Sequence, residues 1–214
     1  MKYSKIESIL WLAFAGPCFW YLTGQGIQID RRLAKKIYRE MAARTPDIGS
    51  VKENPLRMCL SGGMVWLSIY EAAEEKLPDE TFGLMVESSM RTPLIRAVYR
   101  GKAKTAFTLE AQKNRARVAE RTNILARKNI FHWRCEVFLG RDADEYTINY
   151  HQCGLCALGK QENLSRLVPY LCVLDTLTVD WMGGVLHRTQ TLATGGDCCD
   201  FYMCKKGSKW DKSQ

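Results

Sequence analysis

Cysteines crowd the last third of this chain. Seven of its nine cysteines lie at or after Cys135, among them the pair Cys153 and Cys156 of a CxxC and the adjacent pair Cys198 and Cys199. A thiolate is both a strong nucleophile and a ligand for soft metals. The region therefore predicts nucleophilic or metal-assisted chemistry, with the rest of the chain as a scaffold.

Cys172 and Asp175 lie on a helix that we predict within residues 163–182. Asp175 falls on an apolar arc of this helix, where an unpaired carboxylate costs several kcal/mol, so it is either ion-paired or functional. If Pro169 takes the first helical position, Cys172 lies in the first turn and the helix terminus lowers the pKa of its thiol. If Pro169 only kinks a longer helix, Cys172 is an ordinary core cysteine.

The chain ends in a predicted β-hairpin. Residues 185–194 read as a strand, Gly195-Gly196 as a tight turn and residues 197–205 as the returning strand. This register places Arg188, Gln190, Cys199 and Phe201 on one face and His187, Thr189, Thr191, Asp200 and Tyr202 on the other. We expect the Arg188 guanidinium either to bind a ligand carboxylate or to pair with Asp175 or Asp200.

A metal site is an alternative use of the thiols. Cys153, Cys156, Cys172 and Cys199 together could supply four thiolates. The CxxC does not suggest a thioredoxin-like site, because we predict neither a helix that starts at the motif nor a βαβ unit around it.

The periodicity predicts an α+β fold: a helical N-terminal part packed on a small antiparallel β-sheet with one C-terminal helix. Gly62-Gly63 should let another helix approach closely. The hairpin before the CxxC comprises strands at 132–140 and 145–153. The predicted N-terminal helices are 3–23, broken or kinked near Gly16-Pro17, 31–43 capped by Asp30, 55–76 with Pro55 in its first position, 80–99 capped by Asp79, and 106–129.

The predicted domain organisation follows these elements. Residues 1–45 form N-terminal helices with a peripheral position as one option, 46–206 form an α+β domain, and 207–214 form a flexible tail. Within the domain, 46–130 is helical and 131–206 holds the sheet and its helix. The hydrophobic fraction of 46% argues against disorder.

Composition and charge limit the classes of partner that we expect. The formal net charge is +8, but the basic residues are spread over several segments, so we expect a small anionic molecule and no nucleic acid. An odd number of cysteines in a core-rich chain indicates free thiols and a cytoplasmic location. Ile9 to Leu22 is nearly continuously apolar, which favours a buried or peripheral helix and leaves membrane contact through residues 9–22 as an alternative.

With these residues in hand, the chain resembles the L-2-amino-thiazoline-4-carboxylic acid hydrolase family over roughly residues 50–204. The matching stretches are NPLRMCLSGGMVWLSIYEA, Tyr150-x-x-Cys153, LVPYLCVLD with Cys172 and Asp175, LHRTQTLA with Arg188 and Thr191, and GGDCCDF ending in Cys199-Asp200-Phe201. The resemblance implies a hydrolase that opens a cyclic amidine or isothiourea, such as L-2-amino-thiazoline-4-carboxylate, to an N-carbamoyl-cysteine type of product. We class it as acting on a non-peptide C–N bond.

Opening such a ring requires a nucleophile, a group for the amidinium and a proton shuttle. We expect Cys172 or Cys199 to attack and Asp175 or Asp200 to hold the amidinium. Substrate binding is assigned to Arg188, Thr191, His187 and Cys153, with backbone N–H groups at Gly195-Gly196 as further donors. No cofactor is required, although a thiolate-bound metal that activates water is an alternative. A different class of function, a non-catalytic cysteine-rich ligand- or metal-binding sensor, also fits the sequence.

Overall fold

The computed structural model describes residue 1 and residues 5–212. Residues 3 and 4 of the first predicted helix and the last two residues of the predicted tail lie outside the described residues. The α+β class is confirmed. The helices are α1 (Lys5–Gly24), α2 (Arg31–Arg44), α3 (Arg57–Glu71), α4 (Asp79–Met90), α5 (Pro93–Gly101), α6 (Ala103–Ala106), α7 (Leu109–Ala126), α8 (Gly154–Gln161) and α9 (Val168–Trp181), and the strands are β1 (Arg134–Leu139), β2 (Glu145–Gln152), β3 (Gly184–His187) and β4 (Cys199–Lys205).

The chain divides into two compact units. The first comprises Met1–Thr92 with Ala157–Leu171, and the second comprises Pro93–Cys156 with Cys172–Gln214. The first unit is helical, and the second contains all four strands of the sheet. Both α8 and α9 begin in one unit and end in the other, and the thiol-rich residues of interest lie in the second.

Two local features predicted for helices of the first unit are present in the structure. Asp30 caps α2 as predicted, because its Oδ1 accepts hydrogen bonds from the backbone N–H groups of Arg32 and Leu33. A Cβ on Gly62 would lie 3.6 Å from the ring of Phe14, which confirms the close approach of α1 to α3.

The break predicted near Gly16-Pro17 is absent, because α1 runs without interruption from Lys5 to Gly24 with Pro17 inside it. Two predicted helix starts are also wrong. Pro55 lies in the turn before α3, whose N-cap is Leu56, and Asp79 is the first residue of α4, with Pro78 in the cap position. The helix predicted for residues 80–99 is two helices, since α4 ends at Met90 and α5 begins at Pro93. A proline disfavours helical geometry in the residue before it, which accounts for the break.

A buried ion pair joins α1 to α3. The Glu7 side chain is fully buried, and its Oε1 accepts a hydrogen bond from Nε of Arg57 at 3.0 Å. Arg57 is also buried, and its Nη1 donates to Oδ1 of Asp47 at 2.7 Å. The charge of Glu7 is therefore matched inside the core rather than by solvent.

We expect Glu7→Ala to lower the free energy of unfolding by about 3–5 kcal/mol, because it leaves the buried Arg57 guanidinium without its deepest partner. Denaturant unfolding of the purified chain measures this change. Glu87→Ala is the matched control, since Glu87 pairs with Arg91 on the surface and should cost only about 0.3–0.5 kcal/mol. Equal losses in the two variants would contradict a structural role for the buried pair.

One helix among the described residues, α1, is long and apolar enough to cross a membrane by length and composition. Core helices of soluble proteins and signal sequences have the same properties. The cytoplasmic location stays a prediction.

The sheet of the second unit is antiparallel with strand order β1-β2-β4-β3. The predicted hairpin of β1 and β2 is confirmed, with Cys135 opposite Tyr150. Alternation along the strands collects the apolar side chains on one face, which packs against Ala119 of α7, Val179 of α9 and Met182 just after α9. The members of this face are Cys135, Val137, Tyr146, Ile148, Tyr150, Leu186, Cys199, Phe201 and Met203.

The predicted strand over residues 185–194 is wrong beyond His187. The register pairs His187 with Tyr202, and residues 188–198 form a connection that includes a 3₁₀ turn at Leu192–Thr194. The cause lies in Asp200, whose carboxylate accepts hydrogen bonds from the backbone N–H groups of Thr189 and Gln190. These bonds replace the strand ladder with a compact loop. The predicted tight hairpin turn at Gly195-Gly196 is therefore absent.

Candidate active site

Cys153 lies directly before the first residue of α8, a helix that the sequence did not predict. The expectation that no helix starts at the CxxC is therefore wrong. The chain needs glycine at position 154, because a Cβ there would lie 2.2 Å from the carbonyl oxygen of Phe131. That close approach fixes the start of α8 and the position of the Cys153 thiol.

Hydrogen bonds to Cys153 favour its thiolate. The strongest comes from the Cys156 side chain one turn later, and the backbone N–H groups of Cys156 and Leu155 add two more. Together they lower the pKa of the Cys153 thiol against the opposing effect of burial. The same contact and burial raise the pKa of Cys156. Within this pair the thiolate form is favoured at Cys153 and disfavoured at Cys156, which makes Cys153 a candidate nucleophile.

Cys172 and Cys199 have the opposite tendency. Burial raises the pKa of Cys172 to about 12 and that of Cys199 to about 11. Helix α9 begins at Val168, so Pro169 is its second residue and Cys172 lies beyond the first turn. Of the two alternatives for Cys172, the geometry favours the core-like thiol over the helix-terminal thiolate.

Asp175 and Arg188 form an ion pair beside these thiols. Nη1 of Arg188 lies 3.1 Å from Oδ2 of Asp175 and also donates to the backbone carbonyl of Cys172 at 3.3 Å. The guanidinium stands 5.3 Å from the centre of the Phe201 ring, and Phe201 in turn contacts the Tyr150 ring edge to face. Of the two uses expected for Arg188, the pairing with Asp175 is present.

The pKa of the Asp175 carboxyl group is raised. Burial raises the pKa of Asp175 to about 6, and Arg188 limits the rise. Yet 41% of the side-chain surface is open to solvent. A carboxylate crowded by protein on most sides and open on one has both properties, and such a group can exchange protons with a ligand near neutral pH.

These groups form one cluster in the second unit. The charge of Asp175 acts on Cys153, Cys172 and Cys199, and that of Cys153 acts on the other thiols. The structure thus brings together the predicted site residues Cys153, Cys156, Cys172, Asp175, Arg188 and Cys199.

Three other predicted site residues have structural contacts instead. Asp200 holds the loop after β3, and hydrogen bonds from Thr189 and Gln190 outweigh the effect of burial and lower its pKa. The hydroxyl of Thr191 accepts a hydrogen bond from the backbone N–H of Thr194 and so caps the 3₁₀ turn. His187 packs against the ring of Tyr202 on the opposite face of the sheet from Cys199.

The glycine pair offers little to a substrate. The N–H of Gly195 donates to the carbonyl of Leu192, and that of Gly196 donates to the carbonyl of Thr191. Both donors expected to orient a substrate are therefore used within the turn.

The metal alternative named Cys153, Cys156, Cys172 and Cys199 as candidate ligands. Within residues 1 and 5–212, no group of three or more His, Cys, Asp or Glu side chains could hold a metal ion. Each of the nine cysteines is a free thiol.

A sequence-family model described as L-2-amino-thiazoline-4-carboxylic acid hydrolase matches residues 59–203, a span that contains the whole thiol and carboxylate cluster. The chain belongs to this family. Searches of curated proteins and of solved structures returned no match. Membership of the family implies hydrolase activity, and the geometry above identifies which of the matching residues lie together.

Sequence reasoning missed the role of α8. The signal was present, because Leu155 within the CxxC and Leu158 after it have the spacing of a helical face. Gly154 and Gly159 obscured it by lowering the helix propensity of the segment. The contacts that make those glycines necessary are tertiary and cannot be seen in the sequence.

We expect iodoacetamide to alkylate Cys153 with a pH profile shifted to lower pH than those of Cys172 and Cys199, because the Cys153 thiolate is stabilised. Cys172 should react most slowly near neutral pH, since its thiol stays protonated. Peptide mass spectrometry of timed reactions gives each rate. A profile for Cys153 that coincides with that of Cys172 would contradict the assignment.

We expect Gly154→Ala to destabilise the fold by about 1–3 kcal/mol, because the added methyl group overlaps a backbone carbonyl. The alkylation profile of Cys153 should move to higher pH in the same variant as its helix-terminal contacts are lost. Gly16→Ala is the control, since a Cβ there meets nothing within 4 Å. Thermal unfolding and the alkylation assay measure the two effects separately.

Proposed function

We propose that this protein hydrolyses L-2-amino-thiazoline-4-carboxylate, or a closely related cyclic isothiourea, with Cys153 as the nucleophile. Family membership supports the substrate class. The observation that carries the residue assignment is the Cys153 thiol at the start of α8, stabilised as a thiolate and placed near the Asp175–Arg188 pair. This replaces Cys172 and Cys199, the nucleophiles expected from sequence.

The atom balance identifies the bond that breaks. Formation of N-carbamoyl-cysteine keeps both bonds from the amidine carbon to nitrogen and releases the ring sulfur as a thiol. The proposed reaction therefore cleaves a C–S bond, rather than the C–N bond expected from sequence.

The first half of the reaction forms a covalent adduct. The Cys153 thiolate attacks the amidine carbon, and the electron pair of the C–S bond leaves with the ring sulfur. Asp175 takes a proton from the attacked amidinium and passes it to that sulfur. The ring is then open and its carbon is bonded to Sγ of Cys153.

The second half releases the product. Water adds to the same carbon, Asp175 relays its proton, and the Cys153 thiolate leaves as the carbonyl forms. One water is consumed, and the proton that the cationic substrate brought returns to solvent. A helix terminus that stabilises the thiolate assists this departure as well as the attack.

Asp175 and Arg188 suit the two charged ends of the substrate. Arg188 contacts Oδ2 of Asp175, which leaves Oδ1 to face the amidinium. The guanidinium has five N–H donors and uses Nη1 for Asp175 and Cys172, so others can bind the substrate carboxylate. The carboxylate and the amidinium of the substrate would thereby be bound next to each other.

We expect Cys153→Ser to lower kcat by about 10²–10⁴-fold, because a serine hydroxyl is not ionised near neutral pH. Cys172→Ala and Cys199→Ala should stay within about tenfold of wild type, or ~1.4 kcal/mol of barrier. The assay follows a product heavier than the substrate by one water by mass spectrometry. Full loss in Cys172→Ala with an intact fold and normal Cys153 alkylation would overturn the choice of nucleophile.

We expect kcat/KM to fall as pH drops below about 6, where the Asp175 carboxylate takes up a proton and no longer holds the amidinium. The sign follows from the raised pKa: the group is ionised above that pH and neutral below it. A pH profile of kcat/KM locates this acidic limb. Asp175→Glu should keep the limb, whereas Asp175→Asn should abolish it together with most of the activity.

A further inference from the structure

Helix α1 is apolar on both sides, and one side is open. Its most exposed apolar residues are Ile9, Leu12 and Trp20, with 62%, 74% and 77% of their surface accessible. Together with the exposed Gly16 they recur every three or four residues and share one face. Only 44% of the most apolar window of α1 is buried, so this helix does not lie wholly within a core.

The opposite face of α1 belongs to the core of the first unit. It includes Glu7, Ala15, Cys18 and Leu22, all of which are 1% exposed or less. The contacts of α1 with α3 and α4 cover this side. The open face is therefore a surface of the folded unit.

The basic helix α2 contacts α1. The Arg31 guanidinium lies 5.1 Å from the centre of the Phe19 ring, next to Trp20, and Tyr38 of α2 stacks on Trp11 at 5.3 Å. Helix α2 carries one acidic residue, Glu40, against the basic residues Arg31, Arg32, Lys35, Lys36, Arg39 and Arg44. Four of these, Arg32, Lys35, Lys36 and Arg39, line one open depression.

We propose that α1 and α2 dock the protein onto the surface of an anionic lipid bilayer. The docking face consists of Ile9, Leu12, Gly16 and Trp20 of α1 with Arg31, Arg32 and Lys35 of α2. Apolar side chains and a tryptophan insert at the boundary of headgroups and acyl chains, and basic residues bind the anionic headgroups. The combination of exposed apolar and basic side chains on one unit thus identifies an anionic lipid bilayer as the partner.

Charge distinguishes this partner from a second copy of the chain. A symmetric dimer through α1 would bring two α2 helices, each with an excess of basic residues, close together. An anionic bilayer supplies the opposite charge over the same area. The charge complementarity therefore favours the membrane.

The buried ion pair distinguishes docking from spanning. A helix that crossed the bilayer would have to leave the core and expose Glu7 and Arg57, which now lie 3.0 Å apart in the interior. In the docked arrangement α1 keeps these contacts and lies in the plane of the interface.

The test is co-sedimentation of the intact protein with vesicles of phosphatidylcholine alone and of phosphatidylcholine with phosphatidylserine. We expect at least about tenfold tighter binding to the anionic vesicles, and loss of binding as ionic strength rises from about 0.1 to about 1 M and the Debye length falls from about 10 to about 3 Å. Binding to neutral vesicles with equal affinity would overturn the proposal.

Two variants test the docking face. Leu12→Glu with Trp20→Glu removes the apolar part, and Arg32→Glu with Lys35→Glu reverses part of the charge, so each should lower the affinity for anionic vesicles by about tenfold or more. Leu84→Glu, at a residue 55% exposed on α4, and Lys113→Glu with Arg121→Glu on α7 are the matched controls. Equal losses in the controls would contradict the assignment of the face.

The other possible uses of the docking face would give different results in these experiments. A concentration-dependent dimer that Leu12→Glu abolishes in analytical ultracentrifugation, without vesicle binding, would identify a second copy instead. Retention in the membrane after washing with high salt and alkaline carbonate would identify a spanning helix and overturn docking. Unchanged turnover in the docking variants separates this inference from the proposed hydrolase.

Discussion

The ion pair between Asp175 and Arg188 connects α9 to the residue that follows β3, and the candidate site is organised around it. Nη1 of Arg188 bridges the Asp175 carboxylate and the Cys172 carbonyl, while its guanidinium rests near Phe201 of β4. Burial alone would push the pKa of Asp175 further up, and the nearby guanidinium limits the rise to about 6. The pair therefore orients the carboxylate and limits the rise of its pKa.

The thiols around this pair differ because their local donors differ. Burial disfavours the thiolate of all four, and the carboxylate of Asp175 adds a like charge near Cys153, Cys172 and Cys199. Only Cys153 combines backbone N–H groups at a helix start with a neighbouring thiol donor, and these outweigh both effects. Because of this difference, the pKa of Cys153 is lowered while those of Cys172 and Cys199 are raised.

The first unit contains both buried and solvent-exposed charges. The Glu7 carboxylate is tolerated in the core because Arg57 lies against it, and Arg57 extends to Asp47 near the surface. The basic residues of α2 are mostly open, and their charge acts outward. One side of helix α1 belongs to the core with the buried ion pair, and its other side is exposed. An apolar helix is therefore part of a core here and still presents an apolar surface.

The sequence by itself determined the local elements and much of the membership of the site. Alternation predicted β1 and β2, the aspartate at position 30 predicted the start of α2, and the helical wheel placed Asp175 on an apolar face where it needed a partner. These features depend on neighbours within a few residues. The choice of partner for Asp175 remained open, because Arg188, 13 residues away, could have faced either side of a misread strand.

Only the tertiary structure decided which thiol has a lowered pKa and where the last hairpin begins. The start of α8 depends on the approach of Gly154 to Phe131, and the loop before β4 depends on the Asp200 side chain, which takes the N–H groups of Thr189 and Gln190 out of the ladder. Such contacts join residues that are 10 or more positions apart. A pKa is set by burial and by charges in space, so the order of residues along the chain could name the candidate thiols but could not rank them.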